Sequence, residues 1–191
     1  NTLTPEPAVA SSSEPLRYAD ALTQAMEMLA FDPRVLFLGQ AVGYPGTSMS
    51  GTVGKVPLAR RIEMPVAEEM QMGISLGLSI AGFIPVTFYP RWNFLLLAMN
   101  QLVNHVDKME AISHQSWTGQ VIVRVGVGSE RPLHPGHQHV GDFSYSLKLM
   151  TKNMHIVVLR EPEEIVPAYS AALVREGPTV LVEYADHYAS R

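Results

Sequence analysis

The sequence predicts an α/β protein: a single three-layer domain with a mostly parallel six-stranded sheet and helices on both faces. Three observations carry this. Short β-branched runs recur along the chain, and several are apolar throughout, as strands covered on both faces must be. The segments between them place apolar residues at helical spacing. Strands that alternate with helices in this way assemble into parallel sheets through right-handed crossovers. With 191 residues there is material for one domain with a substantial core, and two would be cramped.

Residues 1–14 (NTLTPEPAVASSSE) are rich in Pro, Ser and Ala and predict a disordered tail, leaving 15–191 as the folded domain. The tail lacks the basic start and apolar run of a signal peptide. Leu16 to Ala30 sets Leu16, Ala19, Leu22, Ala25 and Met26 along one helical stripe, and Val35–Gly39 follows as the first strand. Gln40 to Gly54 reads as a Gly- and Ser-rich loop, and Arg60–Glu63 as the second strand. Pro65 stops that strand, and Glu68 and Glu69 open the next helix, where the helix dipole favours acidic residues. Met70 to Met99 is apolar enough to raise a membrane span, but Pro85, Pro90 and Arg91 interrupt it. It reads instead as a helix, a strand over Pro85–Tyr89, and a second helix from Asn93 to Ala111. The remaining strands are Val121–Val125, His155–Leu159 and Thr179–Glu183. Glu161 to Arg175 forms a helix that begins acidic and ends basic before Gly177 and Pro178.

Composition narrows the function. A net charge of −4 argues against a nucleic-acid partner. The absence of cysteine excludes disulfides, thiolate zinc ligands and a thiol nucleophile. With no secretion or anchoring signal, a cytoplasmic location and no membrane partner are expected.

In parallel sheets the ligand lies outside the carboxyl ends of the strands. That directs attention to the loops 40–54, 64–69, 90–94 and 126–143. On spacing alone Glu68 and Glu69 could simply decorate a helix N-terminus. The functional alternative is that one carboxylate sits partly buried over the sheet edge and exchanges a proton with a ligand. Gly73 and Gly77 each cost about 1 kcal/mol in a helix interior, so they imply close packing on the sheet or at a subunit interface. Gly73-Ile74-Ser75-Leu76-Gly77 matches the G-x-S-x-G of serine hydrolases, but that elbow needs a strand before Ser75, and helix formers precede it here. His134, His137 and His139 could bind a metal, although no carboxylate at helical spacing organises them; the alternatives are a catalytic loop histidine or solvated residues. Gly126-Val127-Gly128 is only a fragment of a dinucleotide fingerprint.

Taken in order, several of these segments resemble the amino-terminal, pyrimidine-binding domain of the beta subunit of thiamine-dependent 2-oxo-acid (pyruvate and branched-chain) dehydrogenases, within the wider transketolase-like group. The carriers are Val35-Leu36-Phe37-Leu38-Gly39, Met64-Pro65-Val66-Ala67-Glu68, the Gly73/Gly77 helix, Ala81-Gly82-Phe83-Ile84-Pro85-Val86, Asn100-Gln101-Leu102-Val103-Asn104 and Gly177-Pro178-Thr179-Val180-Leu181-Val182-Glu183. The resemblance implies that Glu68, three residues after the proline, is the carboxylate that hydrogen-bonds the aminopyrimidine of thiamine diphosphate. It favours the imino tautomer that removes the thiazolium carbon proton. It implies further that Phe94 packs on the pyrimidine; a core phenylalanine is the other reading. Gln40 and Trp92 complete the expected cofactor-binding set. His139 corresponds to an active-site loop histidine, with His137 its competitor. Gly39-Gln40-Ala41-Val42 departs from the family's Gly-Glu-Asp/Glu-Val by two acids, which bears on contacts around the cofactor and between subunits.

The resemblance also implies what lies elsewhere. The beta subunits continue into a carboxy-terminal domain where this sequence ends at Arg191, and nothing here resembles the diphosphate-binding motif that holds magnesium. No metal site is expected in this chain. A partner subunit is expected to supply the diphosphate and Mg2+ site, in a heterodimer or heterotetramer, with a lipoyl or acyl-carrier domain as a further candidate partner. The expected activity is cleavage next to a carbonyl, of a 2-oxo acid or a ketose, with transfer of the acyl or ketol fragment. The competing reading is a non-catalytic structural or regulatory subunit.

Overall fold

A computed structural model describes residues 15–130 and 134–188 of the chain. The expected tail over 1–14 lies outside the described residues. In chain order the elements are α1 (Tyr18–Ala30), β1 (Val35–Gly39), the short α2 (Ser48–Gly51), β2 (Arg61–Glu63), α3 (Glu68–Ile80), β3 (Ile84–Tyr89), α4 (Trp92–Leu95), α5 (Met109–Ile112), β4 (Ile122–Val127), α6 (Ser144–Met150), β5 (His155–Val158), α7 (Pro162–Val174) and β6 (Thr179–Tyr184). The six strands form one sheet in the order β2-β1-β3-β4-β6-β5. Every pairing is parallel, so the sheet is wholly rather than mostly parallel.

Two cores sandwich the sheet. On one face Tyr18, Leu22 and Met26 of α1 and Ile165 and Tyr169 of α7 pack on Phe37, Val86 and Leu181. On the other, Met72 of α3, Trp92, Leu102 and Val106, and Leu147 of α6 pack on Tyr89, Val123, Val125 and Val180. Val180 and Leu181 are adjacent in β6 and point to opposite cores, as the two-residue period of a strand requires. Burying one such aliphatic side chain contributes about 1.5–3 kcal/mol.

Two expectations change. The helix expected from Asn93 to Ala111 is broken into α4, a 3₁₀ turn at Leu96–Ala98, a π-helical run at Asn100–Val106, and α5. The widened turn carries its own polar ladder: Asn104 Nδ2 donates to Asn100 Oδ1 at 3.0 Å, and His105 Nδ1 meets Gln101 Oε1 at 2.8 Å. Between the loop 126–143 and the strand at His155 the sequence pattern assigns no element, and the structure places the seven-residue helix α6 there.

The sheet interior also holds a buried ionic cluster. Arg124 of β4 and Glu183 of β6, both with fully buried side chains, form a forked pair at 2.6 and 2.9 Å. Tyr169 Oη donates to Glu183 at 2.5 Å, Tyr188 Oη donates to its other oxygen, and Arg124 donates to Thr52 Oγ1 at 2.7 Å. Burial by itself would lower the Arg124 pKa, but the Glu183 carboxylate beside it holds the guanidinium above its ordinary value.

Candidate functional site at the carboxyl edge of the sheet

Strand order reverses around β1 and β3, and there the loops diverge to leave a cavity of about 670 Å³. Its walls come from the ends of four strands: Gln40 after β1, Arg91 and Phe94 after β3, Gly128 after β4, and Asp186 and Tyr188 after β6. Ligand sites of this size are typical of small-molecule and cofactor pockets.

Glu68 is the first residue of α3 and is buried, with 7% exposure. Its Oε1 accepts from Gln40 Nε2 at 3.2 Å, while Oε2 has no partner among the described residues. The carboxylate therefore lies one hydrogen bond behind the cavity wall, and Gln40 is the wall. Helix α3 is anchored beneath it: buried Gln71 donates to Thr87 Oγ1 and to the Phe88 carbonyl, both at 2.8 Å. Tyr89 Oη donates to the Glu68 carbonyl at 3.2 Å, and burial raises the pKa of that phenol, so it remains a donor. Glu69 is exposed and accepts from Asn100, as a surface acid does.

The other expected residues separate. Phe94 lines the cavity, and its ring meets His139 edge-on with centroids 5.6 Å apart. Nδ1 of His139 is buried without a hydrogen-bond partner among the described residues, whereas exposed His137 faces His134 at 5.4 Å. Trp92 does not fit its expected place: it is fully buried in the second core, edge-on to Phe143, and is not among the cavity-lining residues. A large indole opening α4 fills the space between helix and sheet. Its Nε1 is buried without a hydrogen-bond partner among the described residues.

Two other motifs also receive structural explanations. Ser75 sits inside α3, fully buried, with Oγ donating to the Gln71 carbonyl at 2.9 Å, so the hydrolase elbow is absent. The glycines of Gly126-Val127-Gly128 permit close backbone approach: a Cβ would meet the Pro90 carbonyl oxygen at 2.6 Å and the His139 carbonyl oxygen at 1.8 Å respectively. Among the described residues no group of three His, Cys, Asp or Glu side chains could hold a metal ion. Nor, among them, is any helix long and apolar enough to cross a membrane.

Sequence reading missed Glu63. Its two oxygens accept from the backbone N–H of Ala41 at 2.6 Å and of Gly43 at 2.7 Å, holding the loop after β1 with Ala41 at φ 59. Arg61 grips the far side of the same loop through the carbonyls of Gly54 at 2.8 Å and Val42 at 3.3 Å. The available signal was the Arg-x-Glu alternation, which puts both charges on one face of a strand beside the loop after β1.

A wholly parallel sheet with a buried helix-opening carboxylate behind a cavity at its carboxyl edge is an α/β domain with its cavity where such sheets place their ligand crevices. The chain belongs to the family described as "Transketolase, pyrimidine binding domain", which it matches over residues 14–189. It is 28% identical over 170 residues to the pyruvate dehydrogenase E1 component subunit beta of Staurastrum punctulatum, covering 86% of this chain and 51% of that one. It is 27% identical over 180 residues to the 2-oxoisovalerate dehydrogenase subunit beta of Bacillus subtilis (strain 168), covering 91% and 53%. The chain thus spans about half the length of these curated relatives. Its fold is similar to that of a structure titled "Split gene transketolase, inactive beta4 tetramer", with a TM-score of 0.70 at 18% identity over 89% of this chain and 52% of that one. It is also similar to transketolase from Campylobacter jejuni subsp. jejuni NCTC 11168, with a TM-score of 0.68 at 16% identity over 88% and 26%.

Proposed function

We propose that this chain is the pyrimidine-binding part of a thiamine diphosphate-dependent enzyme, working with a partner subunit that holds the diphosphate and Mg2+. The observation that carries it is Glu68: a buried carboxylate at a strand-to-helix junction, with one oxygen held by Gln40 and the other left for a ligand. The described residues fit the aminopyrimidine. Glu68 Oε2 would hold the ring nitrogen, Gln40 would keep the carboxylate from turning, and Phe94 would offer an apolar face to the heterocycle. When bound, thiamine diphosphate supplies a nucleophilic carbon and an electron sink for cleaving a bond next to a carbonyl.

Glutamine at position 40 suits this arrangement. A carboxamide donates to Glu68, whereas a second carboxylate at 3.2 Å would compete for its proton. Beside Phe94, His139 rather than His137 is the loop residue we assign to handling the substrate-derived fragment. The case for a partner rests on the outer face of α3. Met70, Ile74 and Gly77 lie four and three residues apart on one helical face; Met70 is 45% and Ile74 38% exposed, and no atom lies within 4 Å of a Cβ placed on Gly77.

The test pairs the chain with its diphosphate-binding partner and compares wild type with Glu68→Gln. Turnover should fall by about 100-fold or more, the usual cost of losing a proton-handling group. Calorimetry should show thiamine diphosphate and magnesium binding only in the mixture. Near-normal turnover by E68Q would reject the assignment and favour a structural subunit.

A further inference from the structure

One charged side chain in the cavity is not used by that reading. Arg91 stands at the carboxyl end of β3 as the N-cap residue of α4, and its backbone carbonyl accepts the Phe94 amide at 3.0 Å. Arg91 lines the same cavity as Gln40 and Phe94, and among the described residues no carboxylate or carbonyl accepts from its guanidinium. The other arginines with fixed roles in this fold are engaged: Arg61 on loop carbonyls, Arg124 on Glu183, Arg34 on Asp32. A planar cation with five donors, placed on a rigid strand end and left without an internal partner, is suited to a bidentate anionic oxygen group. Among the described residues Asp186 is the one carboxylate lining the cavity, and it accepts the backbone N–H of Glu130 at 3.0 and 3.3 Å.

We infer that Arg91 is a specificity-determining residue: it docks a carboxylate or phosphate that the substrate carries away from its reacting carbon and keeps through the reaction. This rests on the thiamine reading for the identity of the cavity, and goes beyond it in naming the substrate class. A carboxylate that is lost as carbon dioxide surrenders its charge on the way to the transition state. A guanidinium bound to it would stabilise the ground state more and raise the barrier. A spectator anion keeps its charge throughout, so its ion pair anchors the substrate without that penalty. Arg91 is then a binding residue, with the bond cleavage left to the group beside Glu68.

The test uses the full chain without cofactor or partner. Inorganic phosphate and acetate are titrated separately at constant ionic strength set with sodium chloride, following by NMR the backbone amide resonances of Gln40, Phe94 and Gly128, which line the cavity and are present in wild type and variants alike. We expect saturable shifts of those resonances, at least about 10-fold weaker binding in Arg91→Ala, and partial retention in Arg91→Lys, which keeps the charge but not the fork. Tighter binding of phosphate identifies a phosphate-bearing substrate, and binding of acetate at least as tight identifies a carboxylate-bearing one. No saturable shift with either probe, or unchanged affinity in R91A, overturns the inference. Since among the described residues the Arg91 side chain makes no capping hydrogen bond to α4, R91A should keep the fold, checked by an unchanged thermal midpoint. The readout needs no thiamine diphosphate, so its failure is separable from failure of the Glu68 test.

Discussion

Around the cavity the tightest point is Gly128, where a Cβ would lie 1.8 Å from the His139 carbonyl oxygen and 3.5 Å from Val140 Cα. No side-chain rotation relieves a contact with backbone, so Gly128→Ala must push the 137–140 turn away from β4. We expect a loss of about 1–3 kcal/mol in urea unfolding, the range for overpacking a tight site, together with displaced His139 ring resonances. An unchanged His139 environment would mean that the turn is not seated on Gly128. The same scale explains why glutamines and glutamates with similar sequence surroundings diverge. Glu68 and Glu69 are adjacent at the start of α3, yet one is buried against Gln40 and the other reaches Asn100 across the surface. One residue along a helix turns a side chain by roughly 100°, and that rotation separates a buried carboxylate from a surface acid.

At the scale of elements, α7 illustrates how a helix terminus couples to pH. Glu164 Oε2 accepts the backbone N–H groups of Arg160 at 3.0 Å and Glu161 at 3.2 Å, capping the start of the helix. Those two hydrogen bonds hold the Glu164 carboxyl below its ordinary pKa. A carboxylate whose pKa is depressed on folding contributes stability that is present above its unfolded value, about 4.3, and lost as pH falls through the folded one. Thermal midpoints should therefore decline below about pH 4, and Glu164→Gln should flatten part of that decline. An identical acid profile in E164Q would show that the cap carries no linked proton. The broken helix after β3 is the contrasting case. Its apolar spacing reads as one continuous helix, but the structure widens it into a π turn at Asn100–Val106 where it packs on α3, with Gln101 lying 3.8 Å from a Cβ placed on Gly73.

Across the whole molecule the Arg124–Glu183 cluster joins β4, β6, α7 and the loop around α2, and through Tyr188 it reaches the cavity wall. Removing one member leaves a buried charge unpaired. Arg124→Met should cost about 3–5 kcal/mol in chemical denaturation, whereas R124M combined with Glu183→Leu should recover part of the loss because no lone charge remains. If the double variant is no more stable than R124M, the tyrosine hydroxyls that donate to Glu183 matter more than the ion pair. The cluster was invisible along the chain because Arg124 and Glu183 are 59 residues apart, within runs that otherwise read as apolar strands.

Strand identity, the helix that Glu68 opens, and the loops that line the cavity at the carboxyl edge could all be read from local pattern. A strand buried on both faces and a helix start are each encoded within a few neighbouring residues. The wholly parallel sheet order, the Gln40–Glu68 contact, the seating of His139 on Gly128 and the placement of Trp92 in the core could not. Each depends on residues far apart in sequence that meet only when crossovers bring strands together: Gln40 and Glu68 are separated by 28 positions and one strand. Arg91 joins both cases. Its charge within an apolar stretch is plain in the sequence as a break, but its lack of an internal partner, and hence its availability to a ligand, is a property of the folded cavity.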